Sequence, residues 1–211
     1  MIPTELKMED LSDLEKLLPT LVLNLAFAQG DRGISRRTAL NRRVFVRLID
    51  KAISEYTQAR ALVIAQIAEG QQDLEEVPKS VSNIYMFSFI DYMENCISTV
   101  RRILRFLERL KGNQDGLMFN RSIRKHIKSL TASIVNVRNA IEHMDEKIQN
   151  DLVQEDQPVM LKLADSQDGV TIAGESLKFT DLSSLLKQLH SLGKNMAEWR
   201  ANDDHPEQQS A

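Results

Sequence analysis

The chain has 211 residues, 42% of them hydrophobic and 27% charged, with a formal net charge of -3. This composition suits a globular domain with a sizeable core and excludes global disorder, and no apolar run is long enough to cross a bilayer, so no membrane partner is expected. A lone cysteine, Cys96, excludes an internal disulfide and fits a reducing, cytoplasmic location, with a small buried hydrophobe as its expected role.

The start, MIPTELKMEDLSDLEKLLP, is acidic and has no basic stretch ahead of an apolar core, so no secretory signal is expected. Leu14, Leu17, Leu18, Leu21 and Leu25 recur at helical spacing and predict a first helix from about Pro3 to Gln29, with Pro19 kinking or dividing it. GDRG, residues 30–33, reads as a loop.

A long second helix follows, capped by Ser35 and stopped by Gly70, with Leu40, Val44, Leu48, Ala52, Tyr56, Ala59 and Val63 along its apolar stripe. The loop GQQDLEEVPKS leads to a third helix, from Ser80 or Ser82 to Gly112, with a wide stripe from Ile84 to Leu107. The fourth runs from about Asn120 to Asn150. Its apolar residues Ile123, Ile127, Leu130, Ile134, Val137, Ile141, Met144 and Ile148 alternate steps of four and three, a heptad seam for packing on neighbouring helices.

The period then changes. VMLKL (159–163), VTI (170–172) and SLKF (176–179) read as short strands, with turns at SQDG (166–169) and at Gly174–Glu175. Thr180 or Asp181 caps a last helix bearing Leu182, Leu185, Leu186, Leu189, Leu192, Met196 and Trp199, and the HPEQQSA end reads as disordered. The expected fold is mainly α, in one domain. It is an antiparallel bundle of long helices with a small β-hairpin or meander before the C-terminal helix. Residues 1–34 form an N-terminal helical segment, 35–150 the helical core, 156–200 the hairpin and final helix, and 201–211 the tail.

Charge is unevenly spread. Residues 32–60 carry eight basic and two acidic side chains, 101–128 nine and two, and 145–211 six and thirteen. Two basic segments and an acidic end leave room for an anionic ligand, although solvated helix faces paired with acidic neighbours give the same pattern.

RNAIEH, residues 138–143, lies near the end of the fourth helix. Arg138 falls on the shoulder of the apolar seam, whereas Asn139 and His143 share a face nearly opposite to it. Arg138 and His143 are about 140° apart around the helix and roughly 7.5 Å apart along it. They converge on one phosphate only if the arginine reaches, or if a second copy of the helix faces the first across a two-fold axis.

Arg138, Asn139 and His143 in a long helix resemble the hallmark of the HEPN superfamily, an Arg, four to six residues and a His, often with a polar residue after the Arg. The motif covers six residues, and the helix pattern extends the likeness to about residues 35–150. The resemblance implies a metal-independent endoribonuclease, a hydrolase without cofactor or metal, acting as a homodimer on RNA, often as a toxin with an antitoxin partner or as a phage-defence component. It would make Arg138 and His143 catalytic, with Asn139 supporting. The chemistry suits these residue types. RNA carries its own nucleophile, the 2′-OH. A histidine near neutrality can take that proton or protonate the leaving 5′-oxygen, and an arginine can stabilise the phosphorane. The product would carry a 2′,3′-cyclic phosphate. Arg42, Arg43, Arg121, Arg124 and Lys125 in the two basic segments would guide RNA to the site.

Two features set limits. Glu142 stands four residues after Arg138, in reach of an intrahelical ion pair. Asp145 occupies the position where family toxins paired with a minimal nucleotidyltransferase carry a tyrosine, so control through that tyrosine is not expected. The competing expectation is a non-catalytic HEPN-like helical module that binds a protein partner or a nucleotide. Open, facing RNxxxH segments favour the enzyme, and Arg138 locked on Glu142 or Asp145 favours the module. Elsewhere, His126 is expected to be solvated, His190 at a helix surface and His205 in the tail. Tyr85, Phe87, Phe89 and Tyr92 are expected in core and interface, and no zinc spacing or Gly-rich phosphate loop is present.

Overall fold

The computed structural model describes residues 6–28, 30–70, 79–111 and 121–200, the side chains of 70, 79–84, 111, 121 and 122 excepted. The 71–78 loop, the helix stop at Gly112, the polar tail and the expected helical start at Pro3 therefore lie outside the described residues. Six helices and a three-stranded sheet follow in chain order: α1 (Leu17–Phe27), α2 (Arg36–Gly70), α3 (Lys79–Lys111), α4 (Arg121–Glu142), α5 (Met144–Gln149), β1 (Lys162–Leu163), β2 (Gly169–Ile172), β3 (Glu175–Lys178) and α6 (Phe179–Glu198). The fold is the mainly α bundle that the spacing predicts, with a small antiparallel sheet before the final helix.

α1 is shorter than its leucines suggest. It begins at Leu17, and residues 6–16 run as irregular chain with Met8 and Leu11 buried. Pro19 is its third residue and does not kink it. A proline there lacks an N–H that no helical carbonyl would have accepted. The N–H groups of Leu17 and Leu18 donate to the Asp50 carboxylate on α2, at 3.0 and 2.8 Å, so the cap of α1 comes from another helix.

Ser35 starts α2 as expected, its Oγ accepting the Thr38 N–H at 3.2 Å. α2 and α3 are the main packed pair. Leu48, Ala52, Tyr56, Ala59 and Val63 of α2 share the core with Met93, Ile97, Val100, Leu104 and Leu107 of α3. Leu40, placed in the stripe by spacing, is exposed. Cys96 is buried, its Sγ–H donating to the Ala52 carbonyl at 3.4 Å, and burial pushes its thiol pKa well up, the direction of an inert structural cysteine.

The expected fourth helix is two helices. It breaks at His143, whose backbone sits at φ -106 and ψ 19. Hydrogen bonds still run from the His143 N–H to the Asn139 carbonyl and from the Lys147 N–H to the His143 carbonyl, each 3.0 Å. The bend keeps Met144 in the core and turns Ile148 out to solvent, so the seam ends one step early.

The strands pair in the order β1-β2-β3, all antiparallel, with Thr171 opposite both Lys162 and Ser176. Ile172 pairs with Glu175, so the two-residue turn is Ala173–Gly174, one residue earlier than expected. Both turn residues have positive φ (47 and 80), the backbone of a type I′ hairpin. β2 and β3 pack on α4 and α6. α6 starts at Phe179, ahead of both expected caps, with Lys178 at the N-cap position and Asp181 in its first turn. His190 is not at the surface. It is buried, a ring nitrogen 2.8 Å from the Glu15 carbonyl oxygen.

Candidate functional site

The structure places the three RNAIEH residues in three environments. Val137 and Ala140 carry the helix into the core, so Arg138 leaves on the shoulder, 17% exposed, and Asn139 faces solvent. The Arg138 guanidinium is ion-paired with Glu142 one turn on. Partial burial, and then the neighbouring Arg105 and Arg101 on α3, hold its pKa below the ordinary value. An arginine remains charged at neutral pH under such shifts.

His143 is 54% exposed at the α4–α5 break. Its Nδ1 lies 3.2 Å from a Glu146 carboxylate oxygen, so Glu146 orients the ring. Asn139, the expected orienter, makes no side-chain hydrogen bond to His143 among the described residues. Within the chain, Arg138 and His143 thus each have a carboxylate of their own. The pairing sets a carboxylate beside the charge that a phosphorane would need from Arg138. The imidazole keeps one nitrogen free for acid or base work.

The five expected RNA-guiding residues scatter. Arg42 is buried, with 0% exposure, and reaches no solvent. It donates to the carbonyls of Gly30, Met196 (2.6 Å) and Trp199 (3.0 Å) and to Asp31 (3.0 Å), and lies over the Trp199 ring at 5.5 Å. It ties the α1–α2 loop to the carbonyl end of α6, and burial of this kind corrects its assignment to RNA. Arg43 is half-exposed and also held by Asp31. Lys125 is exposed, and the Arg121 side chain lies outside the described residues.

Arg124 lines a groove of about 640 Å³ between α3 and α4. Its other cations are Arg101, Arg105, Arg109 and Lys128. The sequence carried this set, because Arg101, Arg105 and Arg109 stand at i, i+4 and i+8 in RRILRFLER, one face of a helix. The basic run at 101–128 was legible, but which of its members share a groove depends on the α3–α4 register. His126 is exposed, 3.3 Å from the Ser184 hydroxyl. Among the described residues, no group of three or more His, Cys, Asp or Glu side chains is placed to hold a metal. Compared with known proteins, the chain matches no family model, no curated protein and no solved structure.

Proposed function

We propose that this chain is a HEPN-like helical module that works by binding a protein partner or a nucleotide, with RNAIEH as a self-paired surface and not a nuclease centre. The observation that carries this reading is the Arg138–Glu142 ion pair, which occupies the arginine that would have to meet a phosphate. The His143–Glu146 contact supports it, because both motif side chains then face carboxylates of their own helices.

A second reading is a metal-independent endoribonuclease formed by a homodimer, cutting RNA by 2′-OH attack. It is favoured by His143, which stands on the outward face at a helix break and keeps a ring nitrogen accessible. The test is RNA cleavage in EDTA by the purified wild type beside Arg138→Ala and His143→Ala. The binding module predicts no cleavage of transfer, messenger or total RNA. Cleavage by the wild type that disappears in both variants replaces the module with the nuclease.

A further inference from the structure

We propose that the groove between α3 and α4 binds the phosphate backbone of a single-stranded nucleic acid. This rests on the groove's charge and shape, and stands apart from any role of RNAIEH.

Among the described residues, five cations, Arg101, Arg105, Arg109, Arg124 and Lys128, line it beside one acidic residue, Glu108. Among the described residues, none of the five is ion-paired with a carboxylate. By contrast, Arg42, Arg43, Lys51, Arg60, Lys187 and Lys194 each have a carboxylate partner. Like charges gathered without counter-charges repel one another, and an anion relieves that repulsion. In addition, the Nε–H groups of Arg101 and Arg124 are buried with no acceptor. A buried donor left unpaired is costly, and a phosphate oxygen entering the groove supplies the acceptor. The electrostatic field reaches further along the helix, since Arg101 and Arg105 also act on Arg138.

Shape selects among phosphate ligands. Arg101, Arg105 and Arg109 rise about 6 Å per step and about 12 Å in all along α3. That length suits several successive phosphates of a strand better than one compact polyphosphate. A positively charged groove that tracks one backbone is the device by which single strands are held. Arginine forks bind phosphate oxygens in pairs without reading bases, so binding is expected to depend on salt more than on sequence.

The experiment is fluorescence anisotropy of a short fluorescein-labelled oligouridylate with the full chain, across a potassium chloride series. Arg105→Glu/Arg109→Glu reverses two exposed groove cations, and Arg36→Glu/Arg37→Glu reverses two exposed cations at the start of α2 with the same change in net charge. Circular dichroism confirms that both variants fold. The expected result is binding by the wild type that weakens about tenfold or more in the groove variant and stays within about twofold in the α2 variant. The slope of log affinity against log salt should become shallower by about 0.7 for each phosphate that the groove variant no longer neutralises. Absence of binding, equal weakening in both variants, or equal affinity for inorganic triphosphate or for a duplex overturns the proposal. Binding without cleavage leaves both proposals standing. Cleavage with groove-dependent binding overturns the binding-module reading alone, and no binding with no cleavage overturns the groove alone.

Discussion

Arg42 and Arg138 show how differently two arginines can be used. Arg42 is wholly buried and bridges four carbonyls and a carboxylate, so removing it leaves several acceptors in the core without donors. Burial lowers its guanidinium pKa, and Asp31 raises it in part, which keeps the charge in place. Arg42→Met is expected to cost about 3 kcal/mol or more, a fall in Tm of about 6–12 °C that a calorimetric melt reads. A melt within about 2 °C of wild type would show that the buried network is not what holds α6 to the α1–α2 loop. The Arg138–Glu142 pair is the opposite case. Such an i,i+4 pair at a partly exposed site is worth about 0.3–0.5 kcal/mol. Glu142→Gln should therefore shift Tm by less than about 2 °C, measured the same way. The sequence could place both arginines on helices. It could not distinguish them, because the α6 end that closes over Arg42, with the Met196 and Trp199 carbonyls, lies more than 150 positions away.

At the scale of elements, periodicity located the long helices and capping did not always locate their ends. α2 is legible at its start because Ser35 serves as its own cap. α1 is not, because its capping carboxylate, Asp50, stands 33 residues from Leu17. The α4–α5 break is hidden for another reason: no proline or glycine marks it, and the apolar seam runs through it unchanged. The hairpin turn slipped by one residue because the sequence offers Ala-Gly where a type I′ turn favours Asn-Gly. That mismatch gives a prediction. Ala173 has φ 47, a conformation that costs an ordinary residue about 1–2 kcal/mol. Ala173→Asn should relieve part of this and raise Tm by a few degrees, whereas Gly174→Ala, at φ 80, should lower it. A drop in Tm for Ala173→Asn would mean that the turn is not type I′ in solution.

At the scale of the whole molecule, residues 6–16 are joined to α6 and α2 by ion pairs that surround two buried side chains, Met8 and Leu11. The irregular residues 6–16 lie along α6 through ion pairs of Glu9 with Lys187 and of Glu15 with Lys194, while Asp10 reaches Arg60 on α2. Each carboxylate has a lowered pKa: Glu9 chiefly through its hydrogen bond from Lys187, Asp10 through Ser12 and then Arg60, Glu15 through Lys194. A native-state value below the unfolded one contributes stability that is present above the ordinary carboxylate range of about 4 and is lost as pH falls through the lowered value. Lys194 works from the other side, since Glu15 raises its pKa, and its contribution fades only as pH rises through that raised value. The segment should therefore be docked across the neutral range and loosen in acid. Met8 and Leu11 remain buried against the core, so the loosening should begin at the exposed ion pairs and leave the α2–α3 core intact. Hydrogen exchange, expressed as protection factors, separates the two. Protection at residues 8–16 should fall between about pH 5 and pH 3 while that of residues 45–60 and 93–104 persists, and Lys187→Gln/Lys194→Gln should lower protection at residues 8–16 already at neutral pH and flatten its fall in acid. If the N-terminal segment instead keeps its protection until the core unfolds with it, burial of Met8 and Leu11 is what docks it, and the ion pairs are surface decoration.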